Sequence, residues 1–424
     1  MIAGKSKTVD QVLRGQLCTG CGLCASVSDG AITMEDSSGY NRPVQGAPIS
    51  EVAETIIANA CPGVVVEPWP QAETSSPYWG PANAIGVGYA IDPDTRFRGS
   101  SGGVITAVAA FALRSGLVDR VLHAHADPAN PTSNITVCSR SEADILDGAG
   151  SRYAASSPLA DIESWLAEGG SFAFIGKPCD VSALRRLARI DRRIDRHVPL
   201  MLAFFCAGVP NRKGAENVVS AMGLDFGDLK SFRYRGHGWP GSAAAETRDG
   251  RVAEMSYGES WGKYLAKEVQ FRCKICPDAV GGSADISCAD AWYGDDQGYP
   301  AFEEKDGRSL IMSRTEGGKK LLDLAVAEGA IAMEPLSVGE IDKMQPSQAL
   351  RKQLVKSRLA AMRVALKPRL KVQGTMTEVA SNQATLPLKI RNFLGTLRRI
   401  MTVRPSTSGA AFGGSLDSFR FSRA

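Results

Sequence analysis

The chain has 424 residues, 44% hydrophobic and 22% charged, with 44 Gly and 22 Pro, a globular balance that excludes disordered, collagenous and coiled-coil proteins and allows about two or three domains. Its longest uncharged apolar runs, residues 104–113 and 200–209, fall short of the roughly 20 residues a bilayer span needs. The net charge of +4 hides an asymmetry: from Arg351 onward there are 15 Lys and Arg but only Glu378 and Asp417 as acids, so a basic tail follows an acidic body.

The first residues, Met-Ile-Ala-Gly-Lys-Ser-Lys, lack a secretory apolar core and cleavage site, and a cytoplasmic protein is expected. Ten Cys in such a chain point to metal binding or catalysis rather than disulfides. His is scarce, with only His123, His125, His197 and His237, which favours all-thiolate coordination. The run Cys18-Thr-Gly-Cys21-Gly-Leu-Cys24 is a C-x2-C-x2-C loop, followed downstream by Cys61-Pro62. Three thiolates on a tight glycine loop and a distant Cys before Pro suit the corners of a 4Fe-4S cubane. Ser28 stands where ferredoxin runs place a fourth Cys, which leaves Cys61 as the fourth ligand. A zinc knuckle is the alternative, although zinc ligands usually come as two separated hooks.

After a Pro-rich linker over residues 61–81, a strand is expected at 85–91. Then come Arg98, Gly99, Ser100, Ser101, Gly102 and Gly103, directly before an apolar helix. Such a loop can present helix N–H groups to a phosphate, with Arg98 adding charge, or it can simply turn the chain. Strands follow at 121–126 and at 135–138, where Cys138 reads as a core residue.

A strand at 171–175 meets a helix at 181–190 through Gly-Lys177-Pro-Cys179-Asp, and Cys206 ends the strand at 199–206. Ligands gather at strand ends in open α/β sheets, but isolated Cys is also a common buried small hydrophobe. A strand at 230–234 leads into Gly236-His237-Gly238-Trp-Pro-Gly241. This run matches G-x-G-x-x-G, yet it leads into a strand at 243–247, whereas a dinucleotide fingerprint must open a helix. A nicotinamide site is therefore excluded here. His237, in a loop dense with Arg and Trp, has the pKa range of a proton donor. Cys273 and Cys276 form a C-x2-C-P hook, and a strand at 284–287 precedes Cys288, another expected core residue.

Residues 346–366 read as a helix with a basic polar side, and 374–385 as a polar segment. Over 386–401, Ile390, Phe393, Leu394, Leu397, Ile400 and Met401 share a helical face, with Lys389, Arg391, Arg398 and Arg399 elsewhere. A basic amphipathic helix can lie on an anionic membrane surface, dock a partner or pack on its own acidic body. Nucleic acid is not expected, because interleaved aromatics and a binding motif are missing. The Ser/Gly-rich stretch 404–424 reads as disordered.

Seven motifs, in order, resemble the coenzyme F420 hydrogenase/dehydrogenase beta-subunit family. They are Cys-Thr-Gly-Cys-Gly-Leu-Cys at 18–24, Arg-Gly-Ser-Ser-Gly-Gly-Val-Ile-Thr-Ala at 98–107, Phe-Ile-Gly-Lys-Pro-Cys-Asp at 174–180, Phe-Cys-Ala-Gly-Val-Pro at 205–210, Tyr-Arg-Gly-His-Gly-Trp-Pro-Gly at 234–241, Cys-Lys-Ile-Cys-Pro-Asp at 273–278 and Ala-Asp-Ile-Ser at 284–287. The resemblance implies an oxidoreductase with FAD and at least one 4Fe-4S cluster, and in archaeal hydrogenase subunits a site for coenzyme F420. Relatives reduce 7-hydroxymethyl chlorophyll and divinyl chlorophyllide. Carried onto this chain, it implies one cluster on Cys18, Cys21, Cys24 and Cys61, and a second on Cys179, Cys206, Cys273 and Cys276. It also implies FAD contacts from Arg98 and Ser100 to Gly103, with Arg152, Tyr153 and Lys177 as neighbours. The Cys-rich N-terminal block of chlorophyllide vinyl reductases is missing. The segments Trp239-Pro-Gly and Ser260-Trp-Gly look more like bacterial members that accompany surface-polysaccharide genes.

The expected plan is an N-terminal 4Fe-4S ferredoxin-like region (1–75) and an α/β catalytic body with a mixed sheet (76–345). A helical extension (346–372) and a basic, partly disordered tail (373–424) follow. Electrons would enter from a ferredoxin or a reduced deazaflavin, pass along the clusters to FAD and reduce a small molecule, with His237 supplying a proton. The alternatives are an electron-transfer subunit without a substrate of its own, peripheral at a membrane or docked to a partner through the basic tail, and a structural zinc protein.

Overall fold

The computed structural model describes residues 2–69, 72–294 and 303–402; the stretch expected to be disordered, 404–424, lies outside the described residues. The N-terminal region holds helix α1 (Lys7–Arg14), the cysteine loop, an antiparallel hairpin of β1 (Ile32–Ser37) and β2 (Tyr40–Gln45), and helix α2 (Glu51–Ala60). Ser28, at the position of the missing ferredoxin Cys, starts this hairpin. Its hydroxyl donates to Ala25 O at 2.9 Å and accepts the Ile32 N–H at 3.0 Å.

The body is an eight-stranded sheet. Its strands in chain order are β3 (Ala84–Ala90), β4 (Arg120–Ala126), β5 (Asn134–Ser139), β6 (Phe172–Gly176), β7 (Leu200–Phe204), β11 (Ile286–Asp290), β12 (Ser309–Ser313) and β13 (Ile331–Pro335), in the spatial order β5-β4-β6-β7-β11-β12-β3-β13. β4, β6, β7 and β11 run parallel, and the flanking strands pair antiparallel. The parallel strands read as nearly continuous apolar runs, Phe-Ala-Phe-Ile and Leu-Met-Leu-Ala, as strands covered on both faces must. Alternate residues serve opposite faces. Ala173, Leu200, Leu202 and Ile286 pack under helices α3 (Val104–Arg114) and α6 (Glu316–Ala327). Phe172, Phe174, Met201 and Ala203 pack under helix α4 (Pro178–Ala188).

The segment expected at 230–234 is a strand but not part of this sheet. It is β8 (Leu229–Arg233), which pairs locally with β9 (Ser242–Thr247), and β9 with β10 (Val252–Ser256), in a separate antiparallel sheet. Short connections favour such local pairing over insertion into a distant sheet. Helix α5 (Arg212–Ala221) covers this small sheet through Val218 and Val219.

Helix α7 (Pro346–Val364) fits the expected extension, and helix α8 (Leu386–Thr402) the expected amphipathic helix. The buried stripe of α8 is rotated from the expected face. Thr396 and Ile400 are buried, Ile400 against Val12, Leu17 and Met362, while Ile390, Leu394 and Met401 (82% exposed) face outward. Asn392 explains the rotation: it accepts two hydrogen bonds from the Arg358 guanidinium of α7, at 3.3 and 3.1 Å, which fixes that side of α8 inward. Among the described residues no helix is long and apolar enough to cross a membrane.

Candidate functional site

The first four cysteines come together. Gly20 and Gly22 take left-handed backbone (φ 79° and 89°), and a Cβ at Gly22 would lie 2.7 Å from Ala160 N, so the loop can fold tightly against its neighbour only with glycine there. Cys61 caps the end of α2, whose start is set by Ser50 accepting the Ala53 N–H at 3.0 Å and by Glu51 and Glu54 in the first turn. Cys18, Cys21, Cys24 and Cys61 surround one small cavity of about 30 Å³. Burial, then mutual repulsion with Cys18, pushes the Cys61 thiol up to about 11, and burial and neighbouring thiols push Cys21 and Cys24 up as well. Buried thiols that face one another resist ionisation unless positive charge sits among them. A cluster of cationic irons fits that donor set. Among the described residues no three His, Cys, Asp or Glu side chains are arranged to hold a single metal ion.

The second four also converge, from three separate segments. Cys179 lies in the first turn of α4, Cys206 just beyond β7, and Cys273 and Cys276 around a short helical turn (Phe271–Lys274). Burial is the main cause that raises both the Cys179 and the Cys206 thiol; Asp180, Cys206 and Cys273 add to it at Cys179, and Cys273 and Cys276 add to it at Cys206, which reaches about 12. Cys273 Sγ accepts the Val209 N–H at 3.4 Å, and the Cys206 N–H donates to Ala279 O at 2.8 Å. Arg272 joins the two sets. It is 2% exposed, donates to Pro62 O at 3.0 Å beside Cys61, and lies within electrostatic reach of Cys179, Cys273 and Cys276.

A cavity of about 540 Å³ opens at the carboxyl ends of the parallel strands, bounded by residues that follow β6, β7 and β11, the place where such sheets take ligands. Ser100, Ser101, Gly103, Arg152, Tyr153 and Lys177 line it. Gly102 lies just beneath, its N–H donating to Ser309 Oγ at 2.9 Å. Gly103 precedes α3 in left-handed backbone (φ 73°), with no side-chain cap on the helix. The buried Ser100 hydroxyl has no hydrogen-bond partner among the described residues. Uncapped helix N–H groups beside an orphaned hydroxyl form an anion cradle, which fits the phosphates of a dinucleotide.

The charged neighbours are already engaged. Arg152 donates to Asn134 Oδ1 and to the carbonyls of Pro131, Ser133 and Phe232 at 2.7–3.0 Å, so it braces the wall. Lys177 Nζ is fixed by Asp180 at 2.7 Å and Ser156 Oγ at 2.6 Å. Arg98 reaches toward Asp94 and Asp147 rather than into the cavity. His237 also lies outside the lining, exposed beside the Phe97 ring at 5.5 Å; partial burial, then Arg233 and Arg98, hold it below the ordinary histidine range.

Asp290 carries no signal in the sequence, and Trp261 stands in Ser260-Trp-Gly without a place in the site. Asp290, at the end of β11, takes both Nη atoms of Arg235, at 2.9 and 2.7 Å, and the Trp239 indole N–H at 2.7 Å. Trp261 closes the aromatic wall against Tyr153 at 5.0 Å. Cys288 is buried in the core as expected but also lines the large cavity, whereas Cys138 is half-buried and packs against the core from outside.

A mixed α/β sheet with its cavity at the parallel strand ends defines the class of ligand-binding α/β proteins. Models of the coenzyme F420 hydrogenase/dehydrogenase beta subunit match this chain in two pieces, the N-terminal model over residues 85–162 and the C-terminal model over residues 169–338. The chain belongs to that family. It is 27% identical over 282 residues to the coenzyme F420 hydrogenase subunit beta of Methanosarcina barkeri, spanning 63% of this chain and 85% of the relative. To the coenzyme F420-dependent sulfite reductase of Methanocaldococcus jannaschii it is 24% identical over 262 residues, 58% of this chain but only 37% of that longer protein. A solved chain of the F420-reducing [NiFe] hydrogenase complex from Methanosarcina barkeri shares the fold, with a TM-score of 0.53 at 23% identity over 70% of this chain and 98% of that one.

Proposed function

We propose that the chain is an iron-sulfur flavoprotein oxidoreductase that takes electrons from a ferredoxin or a reduced deazaflavin such as coenzyme F420. Cys18, Cys21, Cys24 and Cys61, and Cys179, Cys206, Cys273 and Cys276, would each hold a 4Fe-4S cluster and the large cavity would hold FAD, which together would supply the electron path to a small molecule reduced there. One observation carries the reading: Cys206 belongs both to the second thiol set and to the cavity wall, so the two sites adjoin without an intervening protein layer. Bound FAD would supply hydride transfer and the exchange between electron pairs and single electrons.

The chain's own residues divide the remaining work. Ser100, Ser101, Gly103 and the start of α3 would receive the phosphates, with Gly102 holding the loop from beneath through Ser309; Arg152 keeps the wall in place, and Tyr153 and Trp261 offer ring faces. Lys177 keeps a fixed positive charge at the floor beside Cys179 and Cys206. His237, outside the lining beside Phe97, would act as proton donor only for a substrate that extends beyond the cavity.

Anaerobic purification tests this directly. The expected product is brown, with about eight irons per chain in two cubanes and flavin released on denaturation; four irons would remove the second cluster, zinc in their place would restore the structural alternative, and lack of flavin would sink the enzymatic reading. Mixing the reduced protein with candidate substrates while following flavin reoxidation identifies the acceptor. A second reading, an electron-transfer subunit with no substrate of its own, is favoured by the likeness to a subunit of a hydrogenase complex. Turnover of a small molecule by the isolated chain, with dithionite as donor, would exclude it.

A further inference from the structure

Helix α7 lies beyond residue 338, where the family match ends, and it grips the loops of the second cysteine set. Gln348 Nε2 donates to Cys206 O at 3.2 Å. Arg351 donates to Cys206 O at 2.9 Å and to Ala207 O at 2.6 Å. Lys352 Nζ donates to Pro277 O at 2.7 Å, and Arg358 Nη1 to Lys274 O, between Cys273 and Cys276, at 2.6 Å. The spacing of 348, 351, 352 and 358 puts all four on one side of the helix. Lys352 is only 8% exposed, and a buried ammonium is costly unless something nearby is negative. Yet among the described residues the hydrogen bonds of Arg351, Lys352 and Arg358 end on carbonyl and amide oxygens, not on carboxylates.

The surroundings of the two thiol sets therefore differ in charge. Near the second set lie Arg272, Arg351, Lys352 and Lys177, against the carboxylates of Asp180 and Asp278. The first cavity is walled by Val9, Val12, Met34, Pro43 and Ile57, with Arg272 and Asp180 as its charged neighbours. Adding an electron to a cluster adds negative charge, and a fixed cation stabilises that reduced form more than the oxidised one.

We propose that α7 is a cationic clamp that raises the reduction potential of the second cluster above that of the first, so that electrons entering at the N-terminal cysteines run toward the cavity. Arg351, Lys352 and Arg358 are positioning residues in this scheme. The proposal rests on the reading of both thiol sets as 4Fe-4S ligands. Each cluster takes one electron from its donor, and no proton moves in that step.

The test uses the full chain, purified anaerobically and assayed for iron, then titrated with dithionite while the reduced clusters are followed by electron paramagnetic resonance. Two one-electron waves are expected. Arg351→Gln should lower only the higher wave, changing the equilibrium between the clusters by about tenfold, about 59 mV for a one-electron couple. Arg351→Lys should restore it, and Arg363→Gln, on an exposed part of the same helix, should move neither wave. Lys352→Gln, which removes the ammonium near Cys276 together with its bond to Pro277 O, should lower the same wave and serves if the Arg351 variant does not fold. Two waves at one potential in the unaltered chain, or variants that shift both waves or neither, would overturn the clamp while leaving the iron-sulfur reading intact. Four irons and a single wave in the unaltered chain would instead overturn that reading, and the clamp with it.

Discussion

Arg235→Leu is the sharpest probe of the cavity wall. Arg235 is almost fully buried and makes a bidentate pair with Asp290 at 2.9 and 2.7 Å, a further bond to Pro240 O at 2.7 Å, and stacked contacts over Tyr257 and Trp292. Leucine replaces the stem but takes the bidentate partner from the Asp290 carboxylate, to which the Trp239 indole N–H still donates. Breaking a buried pair from one side costs about 3–5 kcal/mol, because a charge is left without compensation. Adding Asp290→Asn removes that charge while its amide oxygen can still accept from Trp239, so the double variant should recover about half of the loss despite carrying one more substitution. The assay is urea unfolding of the three variants and the unaltered chain under identical anaerobic conditions, with bound flavin measured alongside. A loss under about 1 kcal/mol for Arg235→Leu, or a double variant no more stable than that single, would refute the argument that the pair braces the site.

Three further predictions follow from single contacts. Ser100→Ala removes the orphaned hydroxyl of the glycine loop; it should weaken flavin retention by about 1.5–3 kcal/mol, the range of a hydrogen bond to a charged group, with the unfolding midpoint unchanged, and equilibrium dialysis of flavin reads it. Ser28→Ala should cost about 1 kcal/mol in unfolding, from two lost bonds at the start of β1, and leave the iron content as it was; a drop in iron would make Ser28 a ligand-set residue after all. His123 is buried, with Nε2 at 2.7 Å from Ser139 Oγ and Nδ1 at 3.1 Å from Ala124 O, and burial lowers its pKa. The unfolded chain then binds a proton more readily than the folded one. Stability contributed by the neutral ring is present above the unfolded value of about 6.5 and is lost as pH falls toward the depressed folded value, at up to about 1.4 kcal/mol per pH unit. His123→Gln should flatten that slope in unfolding measurements between about pH 7 and 5, and an unchanged slope would assign it to another group.

What was legible in the sequence was local. The tight Cys18–Cys24 loop, the glycine loop before α3 and the apolar parallel strands each carry their signal within a few neighbouring residues. The inward side of α7 was not legible. Its Arg and Lys read as a solvated basic face, whereas Lys352 and Gln348 are buried against carbonyls of the cysteine loops. Cys206 O follows the end of β7 and Pro277 O a short helical turn, and both lie outside any strand ladder, a demand that no pattern within α7 records. The same limit applied to Asp290, whose partners lie 55 and 51 residues away.

Convergence of the second cysteine set is the clearest case of what spacing alone withholds. Cys179 and Cys206 follow different strands, and their separation in the chain matches no ligand motif. The parallel register pairs Gly176 of β6 with Ala203 of β7, and Phe204 of β7 with Cys288 of β11. Cys179 and Cys206 each come three residues after a paired position, Gly176 and Ala203, so neighbouring strands deliver both thiols to the same edge. Counted the same way, Cys206 falls level with Asp290 on β11, which carries the wall of the large cavity. A shift of one residue between β6 and β7 would turn every side chain of one strand to the opposite face, burying Ala173 where Phe174 now packs. The core alternation of Phe172, Phe174, Met201 and Ala203 on one face therefore holds the register that sets the two thiols beside each other. On this view, packing in the sheet and the juxtaposition of thiol set and cavity are one constraint, and a core substitution far from any cysteine that loosened the β6–β7 register would separate them.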